Sequence, residues 1–152
     1  MPRDETDEER LDRELEELIQ ELRLALPGVQ ILFAFLLVVP FNNRFAQVDD
    51  YQRDVWFAAF VLALGAVGCF IAPTAYHRLR FRDYDKEWLV TTASRLAVVG
   101  LVCLAGALTA STFFVTGFVF EDTLGAPAAA LAAGFLFCLW FGLPLVRKLT
   151  RS

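Results

Sequence analysis

The sequence predicts an all-α integral membrane fold, a bundle of four transmembrane helices with an amphipathic, acidic, cytoplasmic N-terminal helix. Three observations lead there. Four apolar stretches, at about 24–41, 55–76, 96–120 and 123–146, contain no acidic or basic residue. Each is close to the roughly 17–25 mostly apolar residues that cross a bilayer as a helix. Hydrophobic residues make up 57% of the chain, above the roughly 45–50% of a soluble protein. The excess lies in the four stretches, with no amphipathic partner segments to cover them in water, so lipid is the solvent they fit. Charge, finally, is sorted along the chain. Residues 1–24 hold ten acids and four arginines, a local charge of −6, whereas the rest carries +2.

Two units follow, an acidic helix over residues 1–26 and a four-helix transmembrane domain over 27–152. Residues 1–6 are polar and terminal, where order is least expected. From Asp7 to Leu26 the pattern is helical: Leu11, Leu15, Leu18 and Leu22 recur at spacings of four and three, which makes one apolar face. Glu9, Asp12, Arg13, Glu16 and Glu17 fall on the other faces. Pro27-Gly28 interrupts the pattern, and an interior proline removes a donor and clashes with the preceding turn, so a kink or break is expected there. The first span closes at Pro40-Phe41 and a polar loop, Asn42 to Asp54, follows. The second ends at Ala72-Pro73-Thr74-Ala75-Tyr76 before a basic segment, Arg78 to Arg95. Asp83 and Asp85 are placed to cap a helix that starts in water and enters lipid near Leu96. Glu121-Asp122 turns the chain into the fourth span, which runs into Arg147, Lys148 and Arg151.

Basic residues set the orientation, because short cytoplasmic segments carry an excess of Lys and Arg. The head, the segment 77–95 and the C-terminus together hold twelve bases, against two in the other connections. Both termini are therefore expected on the cytoplasmic side of a cytoplasmic (bacterial inner) membrane, in a multi-pass topology. Aromatic residues gather at the two boundaries, Phe41, Phe45, Tyr51 and Trp56 at one and Tyr76, Phe81, Tyr84 and Trp88 at the other, where such rings favour the headgroup region. A cleavable signal is not expected, since the N-terminus is acidic and polar.

Chemistry-bearing residues are sparse. Gln30, Asn42, Thr109, Ser111, Thr112 and Thr116 are the candidates for a polar pore or groove lining. Hydroxyls in a span can also satisfy themselves on their own helix, and the Gln30 amide needs a partner in lipid. Gly106, Ala110, Ala126, Ala130 and Gly134 are the candidates for a helix-packing interface, because small residues in register let backbones approach. His77, Arg78, Arg80 and Arg82 form a candidate contact for headgroups or for the acidic helix. Cys69, Cys103 and Cys138 lie in three different spans without CxxC spacing, which fits small apolar residues rather than disulfides or a zinc site. The single histidine has no partner set for a metal. No phosphate-binding glycine loop, nucleophile constellation or nucleic-acid-binding surface is present, so no enzyme activity, no cofactor and no nucleic-acid partner is expected.

Three blocks, Glu17-Leu18-Ile19-Gln20-Glu21-Leu22-Arg23, Leu26-Pro27-Gly28-Val29-Gln30-Ile31-Leu32-Phe33-Ala34-Phe35-Leu36-Leu37 and Ala72-Pro73-Thr74-Ala75-Tyr76-His77-Arg78, resemble a bacterial family of small four-span membrane proteins of unknown function. The resemblance implies four spans and supplies no activity or site residue. Two functional classes are compatible with the residues. One is a self-associating scaffold or interaction protein of the membrane, partnered by the bilayer, by further copies and, through the N-terminal helix, by another protein. The other is an oligomeric channel or transporter with an uncharged polar lining.

Overall fold

In the computed structural model the described residues, 6–79, 86–120 and 124–142, form helices and short turns with no strand among them. The order is α1 (Asp7–Val38), two 3-10 turns (Val39–Phe41 and Asn43–Gln47), α2 (Asp50–Leu79), α3 (Lys86–Val119) and α4 (Gly125–Phe137), which continues as one π-helical turn, Cys138–Gly142. Four segments, Glu9–Phe41, Asp50–Tyr76, Glu87–Val119 and Gly125–Gly142, are long and apolar enough to cross a membrane. At most 22% of the apolar window of any of them is buried within the chain. Leu24, Ile31, Phe35, Leu64, Val102 and Leu131 are among the large side chains left outward. An apolar exterior on this scale suits hydrocarbon and not water. The final residues of the fourth stretch expected from the sequence, 143–146, lie outside the described residues.

α1 starts on a reciprocal cap. The Thr6 hydroxyl accepts from the Glu9 N–H at 3.3 Å, and the Glu9 carboxylate accepts from the Thr6 N–H at 3.0 Å, satisfying two backbone donors that a helix start leaves open. Exposed ion pairs one turn apart, Arg10–Glu14 at 3.7 Å and Arg13–Glu17 at 3.4 Å, decorate the outer face and add only a few tenths of a kcal/mol each, about 0.3–0.5.

The break expected at Pro27 does not occur, because α1 passes through Pro27 as one helix. The reason is an apolar register longer than the local signal. Leu15, Leu22, Val29 and Leu36 repeat every seven residues and are 7%, 7%, 1% and 5% exposed. That heptad seam holds α1 against its neighbours on both sides of the proline. Pro27 itself is exposed, as is Arg23 four residues before it, so the carbonyl that loses its donor faces outward rather than into the core. The head's leucine stripe is thus covered within the chain: Leu18, Ala25 and Leu26 pack with Val67 of α2 and with Ala97 and Leu101 of α3 around buried Leu22, Val29, Ala66 and Phe70.

Helices α1, α2 and α3 span 32, 30 and 34 residues, about 45–50 Å at 1.5 Å per residue. This exceeds the roughly 30 Å hydrocarbon core, so each is longer than a span alone requires. A second core cluster, Leu36, Ala59, Ala63 and Ala107, lies toward the other end. Small residues on α2 and α3 let the two helices come close. A Cβ built on Gly65 would touch the Cys103 Sγ at 3.5 Å, one on Gly106 would meet Leu62 Cδ1 at 3.0 Å, and one on Gly100 would overlap the buried Phe70 ring. α4 is the outlier. It packs along α3 and on no other described helix, so the bundle is three mutually packed helices with the fourth laid on its flank.

Candidate functional site

The bond that closes the first hairpin arises from a proline. In an uninterrupted helix the Leu36 carbonyl would accept from the N–H of residue 40, but Pro40 has none. Trp56 of α2 supplies the donor, its indole N–H reaching the Leu36 oxygen at 3.1 Å. The ring is held by neighbours: Phe45 meets it edge-on at 5.3 Å and Phe60 stacks on it at 5.9 Å, with Phe33 stacked on Phe60 at 5.0 Å. Asn42 then opens the second 3-10 turn, its side-chain oxygen accepting from the Arg44 N–H at 3.0 Å. Asp49 caps α2 by accepting from the Gln52 N–H at 2.6 Å.

The residues expected to line a polar path are dispersed. Asn42 caps a turn at the hairpin end. Thr112 and Thr116 donate to the carbonyls of Leu108 at 2.8 Å and Thr112 at 2.6 Å, four residues back on α3, the self-satisfaction open to hydroxyls in a helix. Ser111 Oγ is buried with no hydrogen-bond partner among the described residues. Thr109 borders a groove between α2 and α4. Gln30 is exposed on α1, seven residues past Arg23 and within the uncharged stretch, about 10 Å farther along the axis. Within one copy these groups do not share a lining.

The small residues divide into two sets. Gly106 packs on Leu62 and Ala110 joins the cluster around Leu36. Ala126 and Ala130 are exposed, and a Cβ on Gly134 would meet nothing within 4 Å. The face that α4 turns to α3 is a different one, marked by Gly125, Ala128, Ala129 and Ala132. It begins at a backbone contact between two glycines, where a Cβ on Gly125 would lie 3.3 Å from the Gly117 Cα and 3.4 Å from the Phe113 oxygen. Sequence reasoning missed this pair and the Gly100–Phe70 contact. The readable signal was that Gly117 precedes the turn into α4 and Gly125 follows it. His77 and Arg78 lie in the last turn of α2, with side chains outside the described set, as are Arg80 and Arg82 altogether.

Two apolar grooves flank α3. One, of about 700 Å³, runs between α2 and α4, walled by Tyr51 and Val55 on one side and Ala129, Ala133 and Phe137 on the other, over a floor of Ala105, Gly106 and Ala110. It exists because α4 touches α3 alone. The second, of about 490 Å³, lies between the end of α1 and α3, under the hairpin loop, with Asn42 and Arg44 at its edge. No group of three ligating side chains that could hold a metal occurs among the described residues.

A family model of unknown function, DUF6328, matches residues 4–144. The chain belongs to that family. The match takes in α1 through α4, so this DUF6328 member carries the family's region on all four apolar helices rather than on one part of them. No curated protein and no solved structure matches the chain.

Proposed function

We propose that this protein is a self-associating scaffold of the cytoplasmic membrane, joined copy to copy through the outward face of α4. The observation that carries the reading is the placement of α4. It is anchored on α3 alone, and the stripe Ala126, Ala130, Gly134 and Cys138 is exposed along its other side. Small residues at four-residue spacing permit close backbone approach between membrane helices, where van der Waals packing drives association. Leu131 and Phe135, 75% and 65% exposed beside the stripe, supply ridges for such a contact. The twelve bases on three segments support a topology with both termini in the cytoplasm. There the outer face of the head, with Glu16 and Glu21 exposed, is offered to a protein partner.

Cys138 makes the test direct, since it is exposed and lies on the proposed seam. In proteoliposomes of the full chain, mild oxidation should give a covalent dimer that Cys138→Ser abolishes. A chain that stays monomeric under oxidation at every protein-to-lipid ratio would contradict the seam.

The channel reading keeps one observation in its favour. The Gln30 amide points outward at hydrocarbon depth, where an unpaired amide is costly, and a path between copies would give it a partner. Ion or solute flux through proteoliposomes that is lost in Gln30→Leu with association intact would move the function to a channel.

A further inference from the structure

We propose that the groove between the end of α1 and α3 is a binding site for a single membrane phospholipid, its acyl chain in the groove and its phosphate on Arg44. The walls are apolar, with Phe35 and Val38 from α1 facing Val115 and Phe118 from α3. The volume of about 490 Å³ falls within the roughly 300–1,000 Å³ of small-molecule sites.

The order of polarity along the groove identifies the occupant. Between Arg23 and Arg44 the chain holds no charged residue, so Arg44 is the first charge met where the chain leaves the apolar stretch. It borders the groove at its loop end. A ligand that fits must be apolar along its length and anionic at the end where the protein emerges from hydrocarbon. A phospholipid lying parallel to its neighbours in the bilayer has that profile and needs no reorientation to enter. A span of a second copy would fill the walls with apolar surface alone, whereas a phospholipid carries the anion on the same molecule as the apolar chain.

The two cations of this loop differ in availability. Arg53 bonds the Asp50 carboxylate at 3.0 Å and the Val48 oxygen at 3.3 Å, and lies over the Phe45 ring. Arg44 is exposed and takes part in none of these, while its backbone is fixed by the Asn42 side chain. Its planar fork of donors matches phosphate oxygens in bidentate fashion, which a lysine would not reproduce. Phe45, pinned between Trp56 and Arg53, gives the mouth a rigid edge. The inference holds whether or not copies associate through α4.

The test is native mass spectrometry of the full chain released from detergent micelles, with phosphatidylglycerol, phosphatidylethanolamine or diacylglycerol of matched chains added. The expected result is one retained lipid per chain, held about tenfold more tightly with a phosphate than without, the scale of a charge-assisted contact. Arg44→Gln should reduce both phospholipids to the level of diacylglycerol. Val115→Trp, which fills a wall that is half exposed, should lower retention of all three while helicity and melting stay as in the wild type. Equal retention of diacylglycerol and phospholipid by the wild type would overturn the proposal. So would unchanged phospholipid retention in Arg44→Gln, or a groove blocked only in the dimeric fraction, which would assign it to a second copy.

Discussion

Pro40 and Trp56 act as one unit although sixteen residues separate them. The proline withholds a donor from Leu36 and the indole supplies it, in surroundings where an unmet carbonyl is costly. Trp56→Phe should lower stability by about 1–2 kcal/mol, the scale of losing one partner of a buried bond. The same change in a Pro40→Ala background should cost clearly less, because alanine in place of the proline restores a backbone N–H. Equilibrium unfolding of the four variants in mixed micelles checks this as a double-mutant cycle, and equal penalties in both backgrounds would remove the link. Gly100 makes a second prediction at this scale. A Cβ there would overlap Phe70, which is 1% exposed, so Gly100→Ala should destabilise by about 1–3 kcal/mol through overpacking, and Phe70→Leu in the same chain should recover part of that loss. Neither contact was legible beforehand, because each joins residues whose facing depends on how two helices pack.

Among the elements, α1 departs furthest from its sequence expectation. Pro27-Gly28 is a strong local sign of a break, yet the heptad of Leu15, Leu22, Val29 and Leu36 carries the helix through. The first two members stood in the leucine stripe read from the sequence. The continuation into the span was hidden because every position there is apolar and periodicity has no contrast. The start of α1 at Asp7, the four apolar stretches and a third helix that begins well before its apolar stretch were legible from periodicity, charge and length. If packing and not propensity holds α1 together, Pro27→Ala should raise the melting temperature in detergent without changing circular-dichroism helicity or oligomeric mass. Leu22→Ala should lower the melting temperature, by the equivalent of about 2–4 kcal/mol if the site collapses as little as soluble cores do. A Pro27→Ala variant that melts lower would mean that the proline's geometry is needed. In α4 it was Ala126, Ala130 and Gly134 that stood out in the sequence, whereas packing turns Gly125, Ala128 and Ala132 toward α3 and leaves those three outward. Within one copy the candidate polar residues are spread over several elements and do not share a lining. A run of hydroxyls on one helix looks like a path, but Thr112 and Thr116 bond to their own backbone.

At the scale of the whole molecule, the chain is a three-helix column with a fourth helix on its flank, which leaves two lipid-facing grooves and one small-residue seam. This asymmetry gives the protein an outward-looking apolar surface, the surface through which we propose that copies associate. The most direct measurement is Förster transfer between donor- and acceptor-labelled full-length chains in liposomes, followed as lipid is added, for the wild type and for Gly134→Leu. Association through α4 predicts transfer for the wild type that falls with dilution as a reversible equilibrium. For Gly134→Leu, at a position where an added Cβ meets nothing within its own chain, it predicts an association constant at least about tenfold weaker, the effect of roughly 1.4 kcal/mol, with unchanged helicity. Transfer identical in the two chains, or no more than random encounter in the wild type, would contradict it.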